Sequence, residues 1–454
     1  MSFRKDFTWG AATAAYQIEG AADRRGLSIW DQFSRWPGKT FSGESGDLAC
    51  NHYEKLEEDL DLMSAIGIKA YRFSISWPRI IPGGTGRIDD AGLDFYDRLV
   101  DGLVARDIVP WITLYHWDLP VELYYRGGWL NSESPEWFAD YAAVLARKLG
   151  NRVSHWITFN EPDMFVTLGH VMGIHAPGLK LSPADTTRII HHVHRAHGRA
   201  LAVLRDIVGD GLQAGMAPAL GVVEPGEDDP VLVEAAREGQ FSIVKGEYFS
   251  FSNSLWNDPT FFRRYPDEFI ARYGQHLPAG WEKDLENQPE PANLLGANIY
   301  QSYGKMIFGD DGKPAYQPSE HYGPGFPRSN FMWPVTPGAL YWGPKFLSER
   351  YGVPIAITEN GMSSHDWVHS DGRVSDPARQ DYATRYLKEL RRGIADGADV
   401  RAYFHWSLMD NFEWAEGYRH RFGLVHIDFQ SGRRTMKESA KWYRRVIESN
   451  GAEL

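Results

Sequence analysis

The segment HWITFNEP, His155 to Pro162, runs an apolar, β-favouring stretch straight into an amide, a carboxylate and a proline. Trp156, Ile157, Thr158 and Phe159 suit extended backbone. Pro162 has no N–H to give a ladder, so a strand ends there. The same ending recurs at Ile355-Ala356-Ile357-Thr358-Glu359-Asn360-Gly361, where the glycine supplies a turn. Outward from these two, short β-rich runs appear at Phe7–Ala11, Ala70–Ser76, Val109–Tyr115, His155–Phe159, Gln213–Ala217, Leu294–Tyr300, Pro354–Thr358 and Val400–Trp406. Amphipathic stretches lie between them: His52–Ile66, Asp90–Arg106, Pro135–Leu149, Pro183–Val208 and Asp376–Ala395. In the first, Tyr53, Leu56, Leu60 and Met63 share a helical face.

Alternating strands and helices imply parallel strands joined by crossover helices. An open nucleotide-binding sheet carries a G-x-G-x-x-G turn after its first strand, but here Ala11-Ala12-Thr13-Ala14-Ala15 follows. Eight βα units therefore predict an α/β fold of one (β/α)8 TIM barrel, a single domain over residues 1–454, with its active site at the C-terminal ends of the strands. No linker or low-complexity tract interrupts the 454 residues.

Because all strand ends face one mouth, Glu161 and Glu359 are expected to converge despite their distance in sequence. Opposed carboxyl groups are what glycoside hydrolysis requires: one protonates the leaving oxygen, and the other attacks the anomeric carbon or activates water. A single glutamate at a strand end is more simply a cap or an ion-pair partner; two, each beside an asparagine and a turn-former, favour chemistry. Other strand ends add Tyr16-Gln17-Ile18-Glu19-Gly20, Tyr115-His116-Trp117-Asp118-Leu119-Pro120, Asn298-Ile299-Tyr300, His405-Trp406-Ser407 and Asp410-Asn411-Phe412-Glu413-Trp414. Amide, imidazole, carboxylate and indole groups fit a polyhydroxylated ligand. Aromatic residues make up 14% of the chain, with 17 tryptophans, which suits the C–H faces of sugars as well as a large core.

Together the motifs TFNEP (158–162), YHWDLP (115–120), ITENG (357–361) and WSLMDNFEWAEGY (406–418) resemble those of glycoside hydrolase family 1 β-glucosidases, over nearly the whole length. The resemblance implies retention of anomeric configuration and no metal or organic cofactor. It implies Glu161 as acid/base and Glu359 as nucleophile. Gln17, His116, Asn160, Trp406, Glu413 and Trp414 would hold the non-reducing-end sugar, Arg72 and Tyr300 would contact the nucleophile with Asn298 close by, and Trp333 would flank the leaving group. Two departures stand out. Asp163 occupies a position expected to be apolar or aromatic, and Trp333-Pro334-Val335-Thr336-Pro337-Gly338 lacks acidic residues expected there; both are expected at the outer rim, bearing on the aglycone.

The activity expected is hydrolysis of terminal β-D-glucosyl residues from glucosides and short oligosaccharides, with β-galactosides and β-fucosides as further candidates. The rivals are a 6-phospho-β-glycosidase, which would carry small and basic residues in place of Glu413 and Trp414, and a non-catalytic sugar-binding barrel, which would have lost a glutamate. A net charge of −12 without a basic cluster argues against nucleic acid. No apolar run reaches membrane-spanning or signal-peptide length, and the lone Cys50 builds no disulfide framework, so the cytoplasm is expected. Oligomeric state has no signature. The histidines at 191, 192, 194 and 197 read as a packed or solvated helix rather than a metal site, and Glu57, Glu58, Asp59 and Asp61 as the wet face of another.

Overall fold

A computed structural model describes residues 2–288 and 292–454. Its central sheet has eight strands: β1 (Thr8–Ala12), β2 (Ala70–Ser74), β3 (Val109–Tyr115), β4 (His155–Asn160), β5 (Gln213–Ala217), β6 (Leu295–Asn298), β7 (Ile355–Asn360) and β8 (Val400–Trp406). All pairings are parallel, in the order β5-β4-β3-β2-β1-β8-β7-β6. The remaining seam between β5 and β6 is stitched by the Asn293 N–H to Ala214 O (3.2 Å), the Asn298 N–H to Pro218 O (3.1 Å) and the Leu220 N–H to Asn298 O (2.9 Å). The sheet is thus a nearly closed barrel.

Every expected strand is present. They are buried on both faces, which is why they read as continuous apolar runs rather than as alternation. Inside the barrel, small residues (Ala12, Ala70, Ala217, Ala356, Ala402) surround large ones (Trp111, Phe404, Ile157). Trp111 and Phe404 meet edge to face at 4.9 Å. Gly10 makes room for them: a Cβ there would stand 2.5 Å from the Phe404 ring and 2.8 Å from Ala70 O. The outer helices include Leu56–Ile66, Asp90–Val104, Ser134–Leu149, Pro183–Val208 and Pro377–Ala395.

Two additions were not visible as strand signals. A three-stranded sheet (Val222–Pro225, Ser302–Phe308, Pro314–Pro318) forms from the segments after β5 and β6, and a hairpin pairs Val425–Asp428 with Arg433–Met436. They are short elements that lie in loops.

One surface reading is corrected. Asp59 does not lie on a wet helix face but is buried, bonded to Arg434 through Nε (2.8 Å) and Nη2 (2.9 Å) and to His52 Nδ1 (2.7 Å). Glu57 and Asp61 do face solvent, paired with Arg106. A helix face cannot show from sequence that the C-terminal hairpin will supply a buried arginine.

Candidate active site

Irregular register at the ends of β4 and β7 aims the two glutamates. The ladder shifts between Ile157 and Asn160 where β4 meets β5, and between Ile357 and Glu359 where β7 meets β6. Such irregularities re-aim side chains. Glu161 then takes a left-handed conformation (φ 43°, ψ 62°) before Pro162 opens a short helix. That backbone costs a non-glycine residue about 1–3 kcal/mol and needs outside support. The Glu161 N–H supplies some, donating to Ala217 O on β5 at 2.8 Å.

Arg72 from β2 organises the floor. Its Nη1 donates to Glu359 Oε1 (2.7 Å) and Thr358 O (3.2 Å), Nη2 to Asn160 Oδ1 (2.6 Å) and Nε to Thr113 Oγ1 (3.0 Å). The Tyr300 hydroxyl donates to Glu359 Oε2 at 2.7 Å. Asn298 Nδ2 donates to Glu161 Oε1 (2.9 Å) and Asn160 Oδ1 (3.0 Å), while its Oδ1 accepts from Thr358 Oγ1 (2.7 Å). One amide therefore ties the end of β4 to the end of β7.

The two carboxyl groups stand in different fields. Burial pushes both above the ordinary carboxylate range. For Glu161 the charge on Glu359, and then that of Asp163, add to the rise, which takes it well above that range. For Glu359 the Arg72 charge and the hydrogen bonds from Tyr300 and Arg72 oppose it. Of the two, Glu161 is therefore the one that keeps a proton more readily, and Glu359 the one that ionises more readily.

Both open into a cavity of about 350 Å³ whose wall also includes His116, Asn298, Tyr300, Trp333, Trp406, Glu413 and Trp414. The structure thus brings together nine of the expected site residues, and Gln17, Arg72 and Asn160 stand behind them. Asn160 Nδ2 lies 3.0 Å from His116 Nε2, and Gln17 Nε2 donates to Asn411 Oδ1 (3.0 Å) and Phe412 O (2.8 Å). Gln17 Oε1, His116 Nδ1 and Glu413 Oε2 are buried with no hydrogen-bond partner among the described residues. An unmet buried polar group costs about 1–3 kcal/mol, so this end of the site is built for a ligand with several hydroxyls. Burial holds His116 neutral and lifts the Glu413 carboxyl to about 8, with the Glu359 charge adding to it. A carboxyl raised this far can donate as well as accept near neutral pH. Neither arginine that could have neutralised it does so: Arg419 pairs with Glu416, and Arg421 with Asp410.

Tryptophans shape the walls. Trp414 packs at 4.6 Å on Trp117 and 4.7 Å on Trp30, and Trp333 at 5.1 Å on Tyr300 and 4.5 Å on Phe331. Trp117, His175, Tyr303, Phe331 and Phe422 also line the cavity and were not expected. Trp117 stood within a quoted motif; His175, Tyr303 and Phe331 lay outside every one.

Asp163 is not at the outer rim. It is buried, its Oδ1 accepts the Ala219 N–H (3.0 Å), and desolvation lifts its carboxyl to about 8. Beyond Trp333, Thr336 turns inward to accept the Ser302 N–H (2.7 Å). The helix histidines are core groups: His191 bonds Tyr265 and Asp284, His192 Trp129 O, His194 Leu255 O and His197 Thr158 Oγ1.

The chain is 42% identical to 1,4-beta-D-glucan glucohydrolase of Thermotoga neapolitana, over 99% of both chains. It is 39% identical to the bifunctional beta-D-glucosidase/beta-D-fucosidase of Bifidobacterium breve, over 100% of this chain and 99% of the other. Its fold matches the solved beta-glucosidase from Thermotoga maritima in complex with glucoimidazole, with a TM-score of 0.89, 39% identity and 99% of both chains covered. The family model for glycosyl hydrolase family 1 spans residues 1–452. With that match over almost its whole length, the chain belongs to glycosyl hydrolase family 1.

Proposed function

We propose that the chain is a retaining β-glucosidase that releases terminal non-reducing β-D-glucosyl residues from glucosides and short oligosaccharides by double displacement. The observation that carries this is the asymmetric pair: Glu359, held ionised by Arg72 and Tyr300, faces the same cavity as Glu161, which keeps its proton. Glu161 protonates the glycosidic oxygen as Glu359 attacks the anomeric carbon. The aglycone leaves, and a glycosyl ester forms on Glu359. Glu161, now ionised, takes a proton from water, which displaces Glu359 and restores the starting state. No step calls for a metal or organic cofactor.

Glu413, His116 and Gln17 form the sugar-hydroxyl end of the reading, supported by their unmet buried atoms. Trp406 and Trp414 face the sugar ring, Asn160 holds His116, and Asn298 positions Glu161. Trp333 sits on the leaving-group side. The relatives' names support chains of 1,4-linked β-D-glucan and β-fucosides as substrates; cellobiose and β-galactosides are further candidates. The cavity lining carries four glutamates and no lysine or arginine, which disfavours a 6-phosphate. Residues 1–454 act as one catalytic domain, and its setting is the cytoplasm. Among the described residues no helix is long and apolar enough to cross a membrane. The test is NMR of the first-formed sugar from 4-nitrophenyl β-glucoside. The β-anomer is expected, and an α-anomer would refute retention.

A further inference from the structure

A second cavity, of about 430 Å³, opens beside the first, under the three-stranded sheet formed after β5 and β6. Tyr303 borders both. Gly221 lets the Tyr303 ring lie close, since a Cβ there would come within 3.2 Å of it. The second cavity is lined by apolar residues, Val223 and Met306 among them, by Tyr303 and Tyr316, and by neutral polar residues that include Gln240 and Asn253. No charged side chain contributes to its wall.

Gln240 lies near the C-terminal end of helix Pro230–Phe241 and is only 2% exposed. Its backbone is fixed: Asn253 Nδ2 donates to Gln240 O at 2.6 Å and to Gly221 O at 2.8 Å. Its side-chain amide is not. Neither Nε2 nor Oε1 has a partner among the described residues, although each is buried. An amide offers two donors and two acceptor lone pairs. Burying it unmet is costly, and an apolar residue of similar size would avoid that cost.

We propose that this cavity is a second carbohydrate site, distinct from the catalytic one, which binds a neutral pyranose unit through Gln240 and stacks it on Tyr316. A purely apolar ligand would leave the amide unmet, and a charged one would find no counter-charge. A neutral ring with C–H faces and neighbouring hydroxyls satisfies both parts of the wall. A cavity of this size falls in the range of about 300–1,000 Å³ that small-molecule sites occupy. Free glucose and the end of a cello-oligosaccharide share this chemistry. The ligand class comes from this lining alone; any link to turnover rests on the glucosidase reading.

The test uses full-length protein with its catalytic cavity first blocked by cyclophellitol, an epoxide that alkylates a glycosidase nucleophile. Glucose and cellotriose are then titrated separately and followed by saturation-transfer NMR. Saturable binding is expected to survive blocking and to weaken at least tenfold in Gln240→Leu and in Tyr316→Ala. Binding of both sugars assigns the site to free glucose, and binding of cellotriose alone to an oligosaccharide end. Gln240→Leu should keep wild-type hydrolysis of 4-nitrophenyl β-glucoside; if it misfolds, Tyr316→Ala decides. No saturable binding after blocking, or binding untouched by the folded variants, overturns the proposal. If cyclophellitol does not label the protein, the glucosidase reading fails, and the loss between wild type and Gln240→Leu in unblocked protein still decides the second site.

Discussion

Replacing Tyr300 with phenylalanine deletes one hydroxyl and keeps the ring that packs 5.1 Å from Trp333. The hydroxyl donates to Glu359 Oε2 at 2.7 Å, and Glu359 is 3% exposed. A hydrogen bond to a charged group is worth about 1.5–3 kcal/mol. One pKa unit corresponds to about 1.36 kcal/mol, so losing the bond would raise the carboxyl by about 1–2 units. Arg72 remains on the other oxygen at 2.7 Å, and Tyr300 is only partly buried, which favours the lower figure. The direction follows from the charge: the hydroxyl stabilises the ionised form, so its loss raises the pKa. Hydrolysis needs Glu359 ionised, so the acid limb of kcat/KM should move up by about one pH unit. The alkaline limb, which reports loss of the Glu161 proton, should move much less. Both limbs belong to the coupled pair, so wild type and variant are compared over the full profile with 4-nitrophenyl β-glucoside. An acid limb at the wild-type pH, with the ring packing intact, would refute the hydrogen bond's role in holding Glu359 ionised.

Glu161→Ala should lose most activity on alkyl glucosides and less on aryl glucosides with good leaving groups; added azide should yield a β-glucosyl azide, and equal losses without azide product would remove Glu161 from the acid/base role. Glu413→Ala, which removes both donor and acceptor, should lower kcat/KM at least about tenfold, or roughly 1.4 kcal/mol; a near-normal value would show that Glu413 does not hold the sugar. Wild-type protein should prefer 4-nitrophenyl β-glucoside to its 6-phosphate by a wide margin, and parity would overturn the specificity. Lys437 is buried between Asp366 (2.5 Å) and Asp410 (2.7 Å), so Lys437→Met should destabilise by about 3–5 kcal/mol in denaturant titration, less if Arg379 and Arg421 compensate. Asp366 is held down to about 2, with Arg379 and Lys437 outweighing burial. Its stabilising contribution should be complete above its unfolded value of about 3.9 and fade as pH falls toward 2, which acid unfolding followed by circular dichroism would show.

How much of this was legible depended on how local each signal is. A parallel strand buried on both faces announces itself in its own residues, so all eight barrel strands were readable. So were the two glutamates, because a strand that stops at an amide, a carboxylate and a turn-former is a short-range pattern. Asp59 and Asp163 were misplaced because their burial depends on distant partners, Arg434 and the Ala219 N–H. His175 and Phe331 reach the cavity from outside the strand ends, where no periodicity marks a wall residue. The ionisation of Glu413 was also hidden. Burial and the Glu359 charge lift its carboxyl to about 8, so rejection of a 6-phosphate rests more on the missing cation than on repulsion by a charged Glu413.

The central claim is a covalent glycosyl ester on Glu359, and mass spectrometry reads it directly. Protein treated with 2-deoxy-2-fluoro-β-glucosyl fluoride, which slows release of the ester more than its formation, is digested and its peptides are weighed. One fluoroglucosyl unit is expected on the peptide that contains Ile357–Gly361, located to Glu359 by fragmentation. A label on another residue, or turnover that stops without any covalent adduct, would contradict it.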